Sequence, residues 1–231
     1  MTETTEAQRI DRPALRWLAQ AYLTIILAPL IVLLIVRIVM TPAFLYFEYT
    51  RPGFPDDPYG FTTEERMNYA PYTLRYLLNG EDVEYLADLT LNDGRAMYTL
   101  RELQHLRDVK LVTQIAFAAA LIGAVLALVA LLYLYYRGAA NQVAMSIRNG
   151  ALVTVALLVT IALTAVFNWE FFFTGFHQLF FESGTWQFYY SDTLIRLFPE
   201  QFWFDAAITI GGLTILSAIT LFFITYRVKS A

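Results

Sequence analysis

Residues 111–136 read LVTQIAFAAALIGAVLALVALLYLYY, and no charged side chain interrupts them. A helix crosses the hydrocarbon core of a bilayer in about 20 residues, so this stretch is long enough to span one. Working outward, the same reading applies at 17–36, 149–169 and 206–226, each of which also lacks a charge. Hydrophobic residues make up 58% of the 231-residue chain and charged residues 16%, a balance that excludes an ordinary soluble domain. The expected fold is an all-α membrane protein, a single integral membrane domain over 1–231. Its transmembrane helices should lie at about 17–38, 111–136, 149–170 and 206–226, with outer loops at 41–110 and 171–203. The first span is longer than the apolar core of a cleaved signal peptide, and Thr41-Pro42-Ala43 is a poor cleavage site. It therefore reads as an uncleaved anchor, with Pro29 as a point where it could kink.

Charge orients these spans. The net charge is −4, but its distribution carries the information. Segment 137–149 holds Arg137 and Arg148 and no acid, and the tail after Tyr226 holds Arg227 and Lys229. The N-terminal segment, a mixed-charge tail over 1–12, contributes Arg9 and Arg12, and Arg16 follows. Loop 41–110 instead has 12 acidic residues against 7 basic ones, and 168–203 sets Glu170, Glu182, Asp192 and Glu200 against Arg196. Short basic segments remain in the cytoplasm, so both termini are expected inside and both large loops outside. Cysteine is absent, which leaves no disulfide framework and no thiol chemistry. Nothing points to nucleic acid, and the spans hold no interior charge to mark a transport path.

The chain has two histidines, His105 and His177. His105 shortly precedes the second span and His177 shortly follows the third, so two crossings return them to one face of the membrane. Histidine is the side chain whose proton moves most readily near neutral pH. Glu102, His105 and Asp108 recur at i, i+3 and i+6 and share a helix face, with Arg101 four residues before His105. A carboxylate beside an imidazole can fix its tautomer and stabilise its protonated form; the competing reading is a solvated face with scattered charges. His177 alone reads equally as an interfacial histidine bonded to backbone. A metal site from His105, His177 and one of Glu102, Asp108 or Glu182 would satisfy zinc chemistry, but no spacing argues for it.

Loop 41–110 is too long for a simple connection. Its start, Thr50 to Gly60, is rich in turn residues. Thr62 with Glu65, and Thr99 with Glu102, have capping-box spacing. They predict one helix that Gly80 ends and a second that runs straight into the second span, with a turn at Asn92-Asp93-Gly94 between. The third span should continue outward toward His177, with Gly175 as a helix breaker and a short strand around 186–190. Aromatic residues crowd this region: Trp169, Phe180, Phe181, Trp186, Tyr189, Tyr190 and Trp203. An interfacial belt explains several of them, and a greasy wall for acyl chains would explain the excess. Arg37, at the outer end of the first span, reads as a side chain snorkelling to the interface or as a contact to a lipid phosphate or a developing oxyanion.

Several of these segments carry a resemblance. Glu102-Leu103-Gln104-His105-Leu106-Arg107-Asp108-Val109-Lys110 resembles the His-hydrophobe-x-Asp-Val-Lys motif of the bacterial lipoprotein intramolecular transacylases (Lit) and their wider family of four-helix membrane proteins. Phe176-His177-Gln178-Leu179-Phe180-Phe181, followed by Trp186, is similar to the family's second histidine motif. Asp192-Thr193-Leu194-Ile195-Arg196-Leu197-Phe198-Pro199-Glu200 resembles its later Leu-Ile-x-hydrophobe-Phe-Pro signature. The order of spans and loops agrees over most of the chain.

The resemblance implies a multi-pass protein of the bacterial cell membrane, with its active site on the extracytoplasmic face. It implies transfer of the sn-2 acyl chain of a diacylglyceryl-modified lipoprotein to the α-amine of that lipoprotein's N-terminal cysteine, giving the lyso-form. His105 and His177 match the family's catalytic pair. The partners would be the diacylglyceryl lipoprotein and membrane phospholipid, and no cofactor is needed. An α-amine of pKa about 8 is partly neutral near pH 7, and the glyceryl alkoxide leaves only when protonated, so one base and one acid of near-neutral pKa suffice. On this reading His105 is the base, oriented by Glu102 or Asp108, and His177 the acid, or the reverse. Asn168, Arg196, Arg37 and tyrosine hydroxyls are candidate oxyanion donors. The alternatives are another lipid acyltransferase or a lipid hydrolase at the same rim, and a non-catalytic membrane scaffold that would tolerate loss of both histidines.

Overall fold

The computed structural model describes residues 13–228. The tail 1–12, with Arg9 and Arg12, and Lys229 lie outside the described residues. The described chain is helical, in the order α1 (Pro13–Val39), α2 (Pro42–Thr50), α3 (Thr63–Leu78), α4 (Glu84–Ala87), α5 (Leu100–Tyr136), α6 (Ala140–Phe167), α7 (Trp169–Phe180), α8 (Thr193–Leu197) and α9 (Glu200–Val228). Four helices, α1, α5, α6 and α9, are long and apolar enough to cross a membrane.

In the bundle, α6 lies against both α1 and α9, and α1 also meets α5 and α9. Lipid offers helices no hydrophobic reason to associate, so close backbone approach must come from small residues. Gly150 supplies it: a Cβ there would meet Thr24 O and Leu27 Cδ2 at 2.9 Å. Buried threonine and serine hydroxyls of these helices are satisfied inside their own helix, as where Thr154 Oγ1 donates to Gly150 O at 2.7 Å. The outer surfaces of the helices carry large apolar side chains, such as Leu121, 67% exposed, which suits a surrounding of acyl chains. α1 runs unbroken through Pro29.

Above one end of the bundle sits a cap built like a soluble core. Leu45, Tyr49, Tyr76, Leu86, Met97 and Leu197 are buried together, with Leu103 and Leu106 from the start of α5 and Phe202 from α9. Both capping boxes form: Thr62 Oγ1 accepts from Glu65 N at the start of α3, and Thr99 Oγ1 accepts from Glu102 N at the start of α5. The turn at Asn92-Asp93-Gly94 forms as expected, with Gly94 at φ +84° and a Thr90–Ala96 bridge. Buried polar links hold the irregular 50–60 segment. Asp57 pairs with Arg196 at 2.8 Å, and Arg66 donates to the carbonyls of Arg196 and Pro55. Arg51 bridges Glu48 on α2 and Asp205 on α9.

Three expectations change. The third span ends at Phe167, not near 170, because Asn168 at φ −151°, ψ 84° leaves the helical region. Gly175 lies inside α7 and breaks nothing; its helical conformation is one glycine tolerates, at some cost relative to alanine. No strand forms at 186–190, where the chain is irregular and pairs with no other segment among the described residues.

Candidate active site

α5 is 37 residues long, or about 55 Å at 1.5 Å per residue, against a hydrocarbon core of about 30 Å. Its first three turns therefore stand above the apolar segment that starts at Leu111. His105 is in this projecting part and is buried, 7% exposed. The capping box at Thr99 fixes where the helix starts, and so fixes the direction in which His105 points. His177 comes from α7. Asn168 both ends α6 and caps α7, its Oδ1 accepting from Phe171 N at 3.0 Å. This break lets α7 leave the axis of α6, and the two imidazoles meet with ring centroids 6.3 Å apart and planes 25° from parallel.

Aromatic side chains enclose the pair. Phe181 and Phe188 lie 5.0 and 5.4 Å from His105. Phe173 and Trp186 lie 4.1 and 4.6 Å from His177. Burial in this box pushes the His105 imidazole down to about 4, with His177 nearby adding to the effect. Burial also lowers His177, opposed by its bond to the Phe173 carbonyl. Both shifts favour the neutral ring at pH 7.

His177 Nδ1 lies 2.7 Å from Phe173 O, one helical turn back. A carbonyl oxygen can only accept, so Nδ1 carries the hydrogen and the lone pair of the neutral ring is on Nε2. His105 Nδ1 is buried and has no hydrogen-bond partner among the described residues.

The structure brings His105 and His177 together and gives the other candidates different surroundings. Glu102 is buried, but it does not orient His105. One carboxylate oxygen accepts from Thr99 N and Oγ1 at 2.7 and 2.8 Å, and the other accepts from Leu194 N at 2.7 Å. It locks α5 to the start of α8. Asp108 is half-buried and forms no ion pair among the described residues. Arg196 is buried against Asp57, donates to Tyr59 O and lies 3.5 Å over the Phe61 ring, so it braces the cap. Asn168 is the exposed α6–α7 corner, and nine residues of helix, about 13 Å, separate it from His177. Arg37 is exposed at the end of α1, its guanidinium near the carbonyl of Met40 at 3.4 Å. The rings packed on the imidazoles are phenylalanine and tryptophan, with no tyrosine among them.

Sequence reasoning passed over one element of the site. Arg101 pairs with Asp192 at 2.9 Å and stacks over Phe188 and Tyr189, both at 5.2 Å. This strap holds the 186–190 segment, with Phe188 and Trp186, over the histidines. The only local hint was the spacing of Arg101 from His105; its acid lies far along the chain.

Four spanning helices under a cap in which two neutral imidazoles converge define a multi-pass membrane protein with a site suited to proton transfer near one rim of the bilayer. Comparison with known proteins makes this specific. The chain belongs to the lipoprotein intramolecular transacylase (Lit) family, a family of membrane acyltransferases, which matches residues 21–203. It is 30% identical to an uncharacterised protein of Aquifex aeolicus (strain VF5) over 187 residues, 81% of this chain and 83% of that one. Its fold matches the in meso structure of the membrane integral lipoprotein intramolecular transacylase Lit from Bacillus cereus, with TM-score 0.79 and 21% identity over 95% of this chain and 98% of that one. A structure of the same Bacillus cereus protein with a histidine-to-arginine substitution matches with TM-score 0.72 and 21% identity, over 94% of this chain and 93% of that one.

Proposed function

We propose that this protein moves the sn-2 acyl chain of a diacylglyceryl lipoprotein to the α-amine of the same lipoprotein's N-terminal cysteine. The observation that carries the proposal is the convergence of His105, buried, and His177, half-buried, inside an aromatic box whose burial favours the neutral form of both rings. The reaction needs a base to take a proton as the amine attacks and an acid to give one to the departing glyceryl oxygen. Its two reacting groups are on one substrate molecule, so the protein has only to hold them together. The tautomer of His177 favours the second assignment of roles. His177 Nε2 takes the amine proton, and His105, neutral at rest, receives that proton from His177 and delivers it to the leaving oxygen. The phenylalanine walls limit water at the site, which favours aminolysis over hydrolysis.

The substrate esters lie at the membrane interface, and the distribution of arginine between short and long loops supports an extracytoplasmic site. Because the native chain has no cysteine, one introduced at Asp93 would report orientation directly. A membrane-impermeant maleimide should label it in intact cells, and protection until lysis would invert the topology.

The reaction is tested by mass spectrometry of a lipoprotein's N-terminal peptide from bacteria expressing this protein, beside an empty-vector control. N-acyl monoacylglyceryl cysteine is the expected product. A diacylglyceryl cysteine with a free amine, at good expression, would reject the transacylase reading, and free fatty acid would indicate a hydrolase.

A further inference from the structure

We infer that Trp186 is a third participant in this site, its indole N–H donating to the acyl carbonyl oxygen of the substrate as that oxygen gains negative charge. The inference rests on the transacylase reading above. Trp186 is 9% exposed, and its Nε1 is sealed from solvent with no acceptor among the described residues. Buried indole N–H groups normally find a partner, because an unpaired donor bears its full desolvation cost. The ring lies 4.6 Å from His177, with planes 30° apart. The indole ring is therefore stacked beside the imidazole whose Nε2 carries the lone pair. His105 Nδ1 and Trp169 Nε1 are also buried without a partner among the described residues, but the Trp169 ring packs on Phe173 rather than on either imidazole.

The reaction requires such a donor. The amine nitrogen forms a bond to the ester carbonyl carbon, and the carbonyl π pair moves onto oxygen. His177 takes the proton that the nitrogen sheds. When the oxygen re-forms its double bond, the bond from carbon to the glyceryl oxygen breaks, and that oxygen receives one proton. Overall one proton passes from nitrogen to oxygen, and an ester plus an amine become an amide plus an alcohol. The histidines carry the proton, so the charge on the carbonyl oxygen must be met by another group. Arg196 is spent on Asp57 and Tyr59, and Asn168 on capping α7. The indole is suited to the task because it only donates and does not titrate in the working range. Arg101 and Asp192 hold its loop in place, and Asp192 also accepts from Tyr189 N at 2.9 Å.

The test uses the purified full-length protein in lipid micelles with a synthetic diacylglyceryl-cysteinyl peptide. Trp186→Phe keeps an aromatic wall and deletes the donor. It should lower kcat about 10²- to 10³-fold, the usual effect of removing one oxyanion donor, with KM nearly unchanged and the shape of the pH profile preserved. Replacing Trp186 with β-(3-benzothienyl)alanine keeps the shape and stacking of the indole but exchanges N–H for sulfur, and it should show the same loss. Full activity in the benzothienyl variant would overturn the donor role, even if Trp186→Phe were inactive. A displaced pH profile would overturn it too, because the loss would then act through His177. Product from the wild type with full activity in the benzothienyl variant defeats this inference alone; no product from the wild type defeats the transacylase reading beneath it.

Discussion

Where α1 and α6 cross, one missing methyl group decides the packing: Gly150 brings the backbones so close that a Cβ would sit 2.9 Å from Thr24 O. In the cap, the decisive contacts are between charges. Asp57 and Arg196, both nearly inaccessible, pair at 2.8 Å, and Glu102 spends both carboxylate oxygens on backbone and hydroxyl donors. The difference follows from the surroundings. In lipid the hydrophobic effect between helices vanishes, so shape and internal hydrogen bonds are what remain. In the cap, apolar burial returns, and polar groups are retained where irregular chain must be held in one conformation. The site lies where the two regimes meet, with His105 on a membrane helix that projects into the cap and His177 on a short helix that the bundle helix α6 releases.

The sharpest way to break this arrangement is at the histidines. His177→Ala and His105→Ala should each lower transfer by up to about 10⁴-fold, the upper range for a proton-transferring side chain, while inserting into membranes normally. This is read as product per hour by mass spectrometry. Turnover near wild type in either variant would remove that residue from the mechanism.

The cap can be broken without the bundle. Arg196→Ala leaves Asp57 buried and unpaired and should cost about 3–5 kcal/mol. The cap should become protease-sensitive across 50–60 while the spanning helices keep their far-ultraviolet signal. Unchanged proteolysis would mean that the pair contributes little. The bundle can be broken without the cap. Gly150→Val forces α6 away from α1 and should cost about 1–3 kcal/mol, measured as a lower Tm with the cap still protected.

The smallest effect comes from pH. Burial lowers both imidazoles below the ordinary value of about 6.5, and His105 to about 4. Both are therefore mostly neutral as the pH falls from 8 to 6.5. Over that interval the rate should fall only because the substrate amine, of pKa about 8, gains a proton, by less than about tenfold per pH unit. Protonation of the histidines should add a second decline that becomes steep below 6.5. A second decline already at pH 7 would show that the site is wetter than its aromatic walls suggest.

Reading the chain in order recovered whatever is written in contiguous residues. The four spans follow from uncharged length, and the two capping boxes from Thr and Glu three apart. The turn at Asn92-Asp93-Gly94 follows from glycine's access to positive φ. Two crossings between His105 and His177 required them to share a face. Helical spacing misassigned Glu102, because it puts His105 on the same face but cannot reveal that Leu194 N would claim the carboxylate. It also placed the break at Gly175, where glycine permits a bend, although the chain bends at Asn168, whose side chain caps the next helix.

The sequence alone determined which segments enter the bilayer, where the helices of the outer loops begin, and which two side chains could exchange protons at one rim. Hydropathy and capping depend on neighbours a few positions away. Only the tertiary structure decided that the two imidazoles meet inside an aromatic box, that Arg196 braces Asp57, and that Trp186 is buried against His177 with its N–H unpaired among the described residues. Those contacts join residues distant in sequence, and their partners are chosen by packing.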